Sequence, residues 1–566
     1  MKFLNTKNKE QDLNEQDVLK FISIGDGVTK NLAIYEYNQD IIAVDYGIGF
    51  PEGDDYGVDF LIPDMTYLLE NSHKVKGLFI SHAHADHFAA VPYLLQELNV
   101  PIYASKLTQA YIQKMLEEKQ FKSIKDGVRF HLFDSTTEEV TVGVFKVSAF
   151  NVNHSVPSSL GIKIDTPQGR IIHMADFKID MTPVLDKPID LEKIEQYGKE
   201  GVLCLVSDSL GSRTKGFVPS EKSLDQTFPE IFRRYEGKQL FITTISTNLS
   251  RMYQIIDAAM KVNRKVVPTG RSIDSSVKIA RDLGYLPFPE DCFVDIKKAG
   301  DYNQRDIVYL ISGCFGQPGS ALERLSRGEH HDIFLDQGAI VVFSAEPSPP
   351  GVDVDVERVS SNFIECGAEV IDHTNMEHLH VSGHGHQDEL SRIASLIKPK
   401  YFIPNGGTPV NLHAYANMVV AMGISRSNVF ELREGEVVEF KNSNAKRGKT
   451  VEVKDLFYDG VSLSPVVIKD RELLATDGVF VVVVPIDKDS KEVSKVDVVT
   501  RGFVYVKESK ALLGSSRDVV NKILEKNGKN INDWGSVKNK IEKEIQKYLY
   551  KQTGRNPLVI VHSIFV

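Results

Sequence analysis

The chain is poor in everything that would staple it from outside or hold it in a lipid. Its 566 residues include four cysteines, Cys204, Cys292, Cys314 and Cys366, set far apart with neither a Cys-x-x-Cys pair nor disulfide-like spacing. That excludes a zinc ribbon and points to a reducing compartment, hence to the cytoplasm. No apolar run approaches the roughly 20 residues of a membrane span. Met1 to Glu15 is rich in Asn, Lys, Gln and Asp and has no signal-like apolar core, so a disordered arm over 1–17 and no membrane contact are expected. Positive charge is also in deficit. The net charge of −10 excludes a protein that coats nucleic acid by bulk attraction, but leaves local phosphate contacts open. From Arg501 onward the balance reverses, with 13 Lys or Arg against 6 Asp or Glu, a pattern that solvated helix faces explain better than a binding tail does. No internal repeat is visible.

What is present is enough apolar sequence for several cores, about three or four domains by length, and one dense cluster of imidazoles. Ser81-His82-Ala83-His84-Ala85-Asp86-His87 follows the apolar run Val75 to Ile80, which has the composition of a buried strand. The cluster therefore lies on a loop held by a rigid strand. A single histidine there would be a solvated loop residue. Three imidazoles and a carboxylate at this spacing have no packing use and suit zinc or manganese. With alternation along an extended loop, His82 and His84 face one metal while Asp86 and His87 face a neighbour, so the cluster reads as binuclear.

Other short apolar runs deliver one polar residue each at their ends: Asp45 after Ile41 to Val44, His154 after Val140 to Phe150, Asp176 after a hairpin from Gly161 to Met174, and Asp208 after Val202 to Val206. That recurrence is the mark of a sheet with a reaction site along one rim. From about Phe217 strands and helices alternate as in a parallel α/β domain, with a glycine-rich turn at Gly313 to Gly319 as a weak phosphate-cradle candidate. Then comes His380-Val381-Ser382-Gly383-His384, where imidazole, hydroxyl and amide groups at a glycine turn suit an anionic oxygen. His386 adds an imidazole nearby. A Lys- and Asn-rich stretch precedes a small α+β module whose apolar last strand needs cover from the body or another subunit.

These motifs, in this order, resemble the ribonuclease J family, metallo-β-lactamase-fold enzymes with a β-CASP insert. The resemblance covers nearly the whole chain after the arm. It rests on Ile80 to His87, His154-Ser-Val-Pro-Ser, Ala175-Asp-Phe-Lys178, Leu205-Val-Ser-Asp-Ser209, Gly270-Arg-Ser272, His380 to His384 and Arg501-Gly-Phe-Val-Tyr505. It implies an α/β architecture: an αββα sandwich over 18–215 and 376–445, interrupted by a parallel α/β β-CASP domain over 216–375. A linker over 446–462 and a C-terminal α+β domain over 463–566 would follow. The implied activity is RNA maturation and decay, by endonucleolytic cleavage and by 5′-to-3′ exonuclease action on single-stranded RNA with a 5′-monophosphate.

The resemblance further implies two zinc or manganese ions. His82, His84, His154 and Asp176 would bind one; Asp86, His87 and the shared Asp176 would bind the other. Asp86, Asp208 and His384 would be catalytic, the last two assisting proton transfer, and His380, Val381, Ser382, Gly383 and His384 would bind the scissile phosphate. Asp45, Gly47 and Asp459 map onto a structural calcium site of some relatives. A homodimer or homotetramer through the C-terminal domain, a paralogous subunit and an RNA-decay complex are the implied partners.

The chain departs from the family pattern where a final ligand histidine usually stands in a Pro-x-His-Gly-Glu turn. It reads Pro404-Asn405-Gly406-Gly407, so Asn405 offers an amide oxygen, a weaker zinc ligand, in place of an imidazole. Gln317 stands where Glu is usual, and Pro349-Pro350-Gly-Val-Asp where a Pro-Gly-Asn turn is usual. Three readings remain open on sequence: the nuclease, a weakly active or non-catalytic RNA-binding partner subunit, and a small-molecule hydrolase of the same fold.

Overall fold

The computed structural model describes residues 17–25, 27–50, 57–345, 352–459, 461–463, 465–488, 492–504, 509–526 and 534–565. Most of the expected arm and the Pro349-Pro350 turn lie outside the described residues. No helix among the described residues is long and apolar enough to cross a membrane.

Two sheets face each other. The first has eight strands: Leu19–Ser23, Ala33–Tyr37, Asp40–Val44, Val437–Lys441 and Asn444–Arg447 are antiparallel neighbours, and Val75–Phe79, Ile102–Ala104 and Phe130–Leu132 run parallel beyond Asp40–Val44. The second has six, with Phe145–Asn151, Leu160–Thr166 and Gly169–His173 antiparallel in turn, then Cys204–Asp208 and Tyr401–Asn405 parallel. Alternate residues of each sheet meet in one apolar layer: Phe21, Tyr35, Ile42, Val44 and Phe79 from the first, Val147, Ile162, Ile164, Ile171, Val206 and Ile403 from the second. The other face of the second sheet, with Phe150, Ile172, Leu205 and Phe402, takes Ile194, Tyr197, Ile393, Tyr415 and Val419 from the helices Leu191–Glu200, Gln387–Ile397 and Pro409–Ala421. This is the expected αββα sandwich. Period-2 alternation fixes its register, since a slip of one residue would turn the apolar layer outward.

Between Asp208 and Tyr401 the chain forms a five-stranded, all-parallel sheet in the order Lys265–Thr269, Ile307–Ile311, Leu240–Thr243, Ile340–Phe343, Glu369–Ile371. Its three central strands are buried along their length, as a sheet covered on both faces requires. The chain then returns to place Tyr401–Asn405 beside Cys204–Asp208, with Asp208 opposite Asn405.

The linker begins later than expected. Asn444–Arg447 is the edge strand of the first sheet, paired with Val437–Lys441 through a two-residue turn at Asn442 and Ser443, both at positive φ (51° and 59°). Asn in such a turn is a hairpin signal that a composition-based linker assignment overlooks. A second compact unit starts at Leu456 and also takes in residues 57–59. In it Val479–Ile486 pairs antiparallel with Asp497–Arg501 and parallel with Leu558–Phe565, and one face packs on the helices Lys510–Lys526 and Trp534–Thr553. Among the described residues, the strand Asp497–Arg501 does not continue into 502–504.

Candidate metal centre

Parallel neighbours bring their carboxyl ends to one rim, and there the polar strand tips meet. Nε2 of His82 and Nε2 of His154 lie 3.2 and 2.9 Å from Nδ1 of His84. Asp176 Oδ2 stands 3.8 Å from His82 Nε2, 3.7 Å from His154 Nε2 and 3.2 Å from His87 Nε2. Asp86 Oδ2 is 3.5 Å from the same His87 nitrogen. Among the described residues, three groups thus have ligand atoms within 4.8 Å of one another: His82, His84, His154 and Asp176; Asp86, His87 and Asp176; and Asp176, Asp208 and His384.

The far side of each ring fixes which nitrogen faces inward. Ser81 Oγ donates to Asp45 Oδ2 at 2.8 Å, so it accepts from His82 Nδ1 at 2.9 Å and leaves Nε2 with a lone pair. Gly383 O accepts from His154 Nδ1 at 2.7 Å, and Asp45 Oδ2 from His87 Nδ1 at 2.7 Å. Ser155 Oγ lies 3.1 Å from His84 Nε2, which turns Nδ1 inward. Outer partners of this kind set the tautomer of ligand histidines. Burial, then the neighbouring imidazoles, hold His82 and His154 well below the usual histidine range. Burial pushes His84 down to about 3. Three neutral imidazoles with lone pairs converging at 2.9–3.2 Å repel one another. A tetrahedral zinc with bonds of about 2.05 Å has ligand–ligand edges of roughly 3.3 Å, so the donor set fits a divalent cation.

The carboxylates divide in the opposite sense. Burial works against an ionised Asp176, but His87, His384 and His154 outweigh it and hold the carboxyl well below the ordinary range. Burial raises Asp86 to about 6 against the pull of His87. Ala175, just before Asp176, sits at φ 51°, a left-handed strain that persists because the site around it is over-determined.

Sequence reasoning missed several members. Asn31 Nδ2 lies 3.1 Å from His87 Nε2 and 3.1 Å from the Asp86 carbonyl, inside the second ligand group. It comes from a loop 55 residues upstream, with no local signal. Ser81 and Ser155 lie within the motifs, but their roles depend on partners that the motif pattern does not show.

Other expected residues fall as follows. His384 Nδ1 bonds Asp208 Oδ2 at 2.8 Å, while its Nε2 faces Asp176 Oδ2 at 3.9 Å. Ser382 Oγ is engaged within its own turn, accepting from His384 N at 3.0 Å and donating to His384 O at 3.1 Å, so it shapes the turn. Val381 packs with Val218 and Leu224. Asn405 lies on the strand tip beside Asp208, and its carbonyl accepts from Ser209 N and Oγ at 2.9 Å. The next residue, Gly406, lies against the centre: a methyl there would stand 3.5 Å from Asp176 Oδ1. His386 forms a capping box with Glu389 at the start of Gln387–Ile397, which accounts for this extra imidazole.

Asp45 gives both carboxylate oxygens to Ser81 and His87, and Gly47 lies so close to the Asp86 carbonyl that a methyl would overlap it. Asp459, in the second unit, pairs with Arg471 at 2.7 Å. Each expected calcium residue thus also has a contact within the chain. In the glycine-rich turn, the Gly319 amide donates to the buried Glu323 carboxylate at 3.2 Å, so the turn holds an internal anion.

The αββα sandwich, the inserted parallel domain and the His/Asp centre on one rim together define a hydrolase of the metallo-β-lactamase fold with a β-CASP insert. Four family models match: beta-lactamase superfamily domain over 55–191, ribonuclease J beta-CASP domain over 237–363, Zn-dependent metallo-hydrolase RNA specificity domain over 373–429, and ribonuclease J C-terminal domain over 466–565. The chain is 33% identical over 557 residues to ribonuclease J2 of Bacillus subtilis (strain 168), covering 98% of this chain and 99% of that one. It is 34% identical over 552 residues to ribonuclease J 1 of Streptococcus pyogenes serotype M3, covering 97% of each. The chain belongs to the ribonuclease J family. A solved protein of unknown function from Enterococcus faecalis V583 shares the fold at 16% identity, with a TM-score of 0.51 over 75% of this chain and 99% of that one.

Proposed function

We propose that the chain is a metal-dependent ribonuclease that cleaves single-stranded RNA both internally and from 5′-monophosphorylated ends, with two zinc or manganese ions at full occupancy. The observation that carries this is the convergence of His82 Nε2, His84 Nδ1, His154 Nε2 and the Asp176 carboxylate on one point of the strand rim. Divalent cations held by these residues, with Asp86 and His87 for the second, would supply an activated water and neutralise phosphate charge.

The chain's own groups do the rest. Asp208 fixes His384 by Nδ1, so Nε2 is the tip that gives a proton to the leaving 3′ oxygen. His380 and His384, at the two ends of a turn shaped by Ser382 and Gly383, donate to the scissile phosphate. The Asp45 carboxylate keeps His87 in the ligand tautomer. Single-stranded substrate is favoured because a folded duplex is too wide for a metal site set on a rim between two domains.

The test is cleavage of RNA labelled at a 5′-monophosphate or a 5′-triphosphate in the presence of manganese. Release of labelled mononucleotide from the first RNA, and internal fragments from both, is expected. An intact substrate with metal-loaded protein contradicts the proposal. A weakly active partner subunit is the second reading, favoured by Asn405 at the place of the family's last ligand histidine; intact RNA together with retained RNA binding supports it.

A cytoplasmic setting accords with four free cysteines. Self-association through the C-terminal unit accords with its sheet face, where Val499 and Ile560 flank Val481 and are more than a third exposed. Sedimentation of a Val499→Lys, Ile560→Lys variant checks it.

A further inference from the structure

We propose that Arg251 is a positioning residue for the phosphate turn: buried in the inserted domain, it fixes the Leu379–His380 peptide and so sets where His380 meets an RNA phosphate. The kinetic part of this rests on the nuclease reading above; the geometric part does not.

Arg251 lies in the first turn of the helix Leu249–Lys261, where Asn248 Oδ1 caps its amide at 3.0 Å. Its side chain has no exposed surface. Nη1 donates to Ser344 Oγ at 2.6 Å, Ser344 O at 3.2 Å and Leu379 O at 2.9 Å, while Nη2 donates to Glu221 Oε2 at 3.0 Å. Ser344 Oγ donates to the same Leu379 oxygen at 2.7 Å. The carbonyl that precedes His380 is thus held by two donors. One residue earlier, Thr227 Oγ1 donates to His378 O at 2.8 Å, and His378 sits at φ 57°. Consecutive carbonyls are pinned from the inserted domain just before the turn begins.

A buried charge is costly unless several acceptors share it, and an apolar side chain would fill the space at lower cost. What the planar fork provides, and a lysine does not, is several fixed donor directions at once. Here they reach Ser344 at the end of an inserted strand, Glu221 at the entry to the inserted domain, and Leu379 at its exit. Glu221 in turn accepts from Lys178 Nζ at 3.2 Å, two residues beyond Asp176. Among the described residues, Arg251 Nε is buried without a partner. The charged groups facing His380 are Arg251, Glu221 and Lys178; burial and then the Arg251 charge push it down to about 3, so the ring is neutral.

The experiment compares metal-loaded full-length wild type, Arg251→Lys, His380→Ala and the double variant. Each single change should lower kcat about tenfold or more, with KM and bound metal within about threefold, and the double variant should fall within about threefold of His380→Ala alone. Full multiplication of the two losses, or an unchanged kcat in Arg251→Lys, overturns the proposal. The ring-nitrogen NMR signal of His380, identified by its loss in His380→Ala, should move in Arg251→Lys. An unmoved signal overturns the geometry whether or not the wild type cleaves RNA. A moved signal with an inactive wild type supports the positioning and removes the nuclease reading instead. Should Arg251→Lys fail to fold, Ser344→Ala, which removes the other donor to Leu379, is expected to move the same signal in the same test.

Discussion

The carbonyl of Gly383 accepts from Nδ1 of His154 at 2.7 Å, so the turn proposed to hold the phosphate and an imidazole of the candidate metal centre form one unit. A methyl on Gly383 would stand 2.7 Å from His154 Cε1 and 2.8 Å from Nδ1. Gly383→Ala should therefore displace the ring and weaken zinc binding by about 10- to 100-fold, the usual cost of losing an outer partner. Titration with a competing chelator measures it; unchanged affinity would show that the ring does not depend on the turn.

Asp45 serves two proposed ligands through one carboxylate, His87 directly and His82 by way of Ser81, reaching Ser81 N, Ser81 Oγ and His87 Nδ1. Asp45→Asn keeps the shape but loses one acceptor. We expect the cation between Asp86 and His87 to weaken by about tenfold or more, while the His82, His84 and His154 group keeps its metal. Metal-to-protein ratios by plasma mass spectrometry, after dialysis against graded zinc, separate the two sites.

The contrast between those two cases shows what the sequence made legible. His82 to His87, His154, Asp176 and Asp208 stood out because a polar residue at the end of an apolar run has few other uses, and the αββα layers followed from strict alternation. Asn31, Ser81 and Arg251 did not stand out. Each acts through a partner more than 35 residues away or through a backbone carbonyl, and neither leaves a local pattern. The Asn444–Arg447 strand was hidden for another reason: three polar residues and an alanine on a sheet edge have the composition of a linker, and the Asn442-Ser443 turn alone marks the hairpin.

Asn405 lies opposite Asp208 at the rim. If the weak point of the second site is this amide, Asn405→His should raise bound metal toward two per chain and raise manganese-stimulated RNA cleavage several-fold. Metal content and a fluorescent RNA assay on the same preparations check it. Equal metal and equal rates would place the limit elsewhere.

The buried Glu221 carboxylate is held below its ordinary value, burial being outweighed by Lys178 and Arg251. A depressed carboxyl contributes stability above its unfolded value, about 4.3, and loses it as pH falls through the lower folded value. Glu221→Gln leaves two buried cations short of a partner and should cost about 3–5 kcal/mol at neutral pH. That deficit should shrink as the solution is acidified below about pH 4. Urea unfolding of wild type and variant across this range checks both the size and the direction; a deficit that grows on acidification would reverse the assigned sign.

The convergence of three strand ends on a metal is tested most directly by anomalous X-ray scattering from crystals soaked in zinc or manganese, beside an identical soak of the Asp176→Asn variant. The account predicts a peak within bonding distance of His82 Nε2, His84 Nδ1, His154 Nε2 and the Asp176 carboxylate, lost or weakened in the variant together with RNA cleavage. A peak elsewhere, or none at these residues in a metal-loaded protein that still cuts RNA, would contradict it.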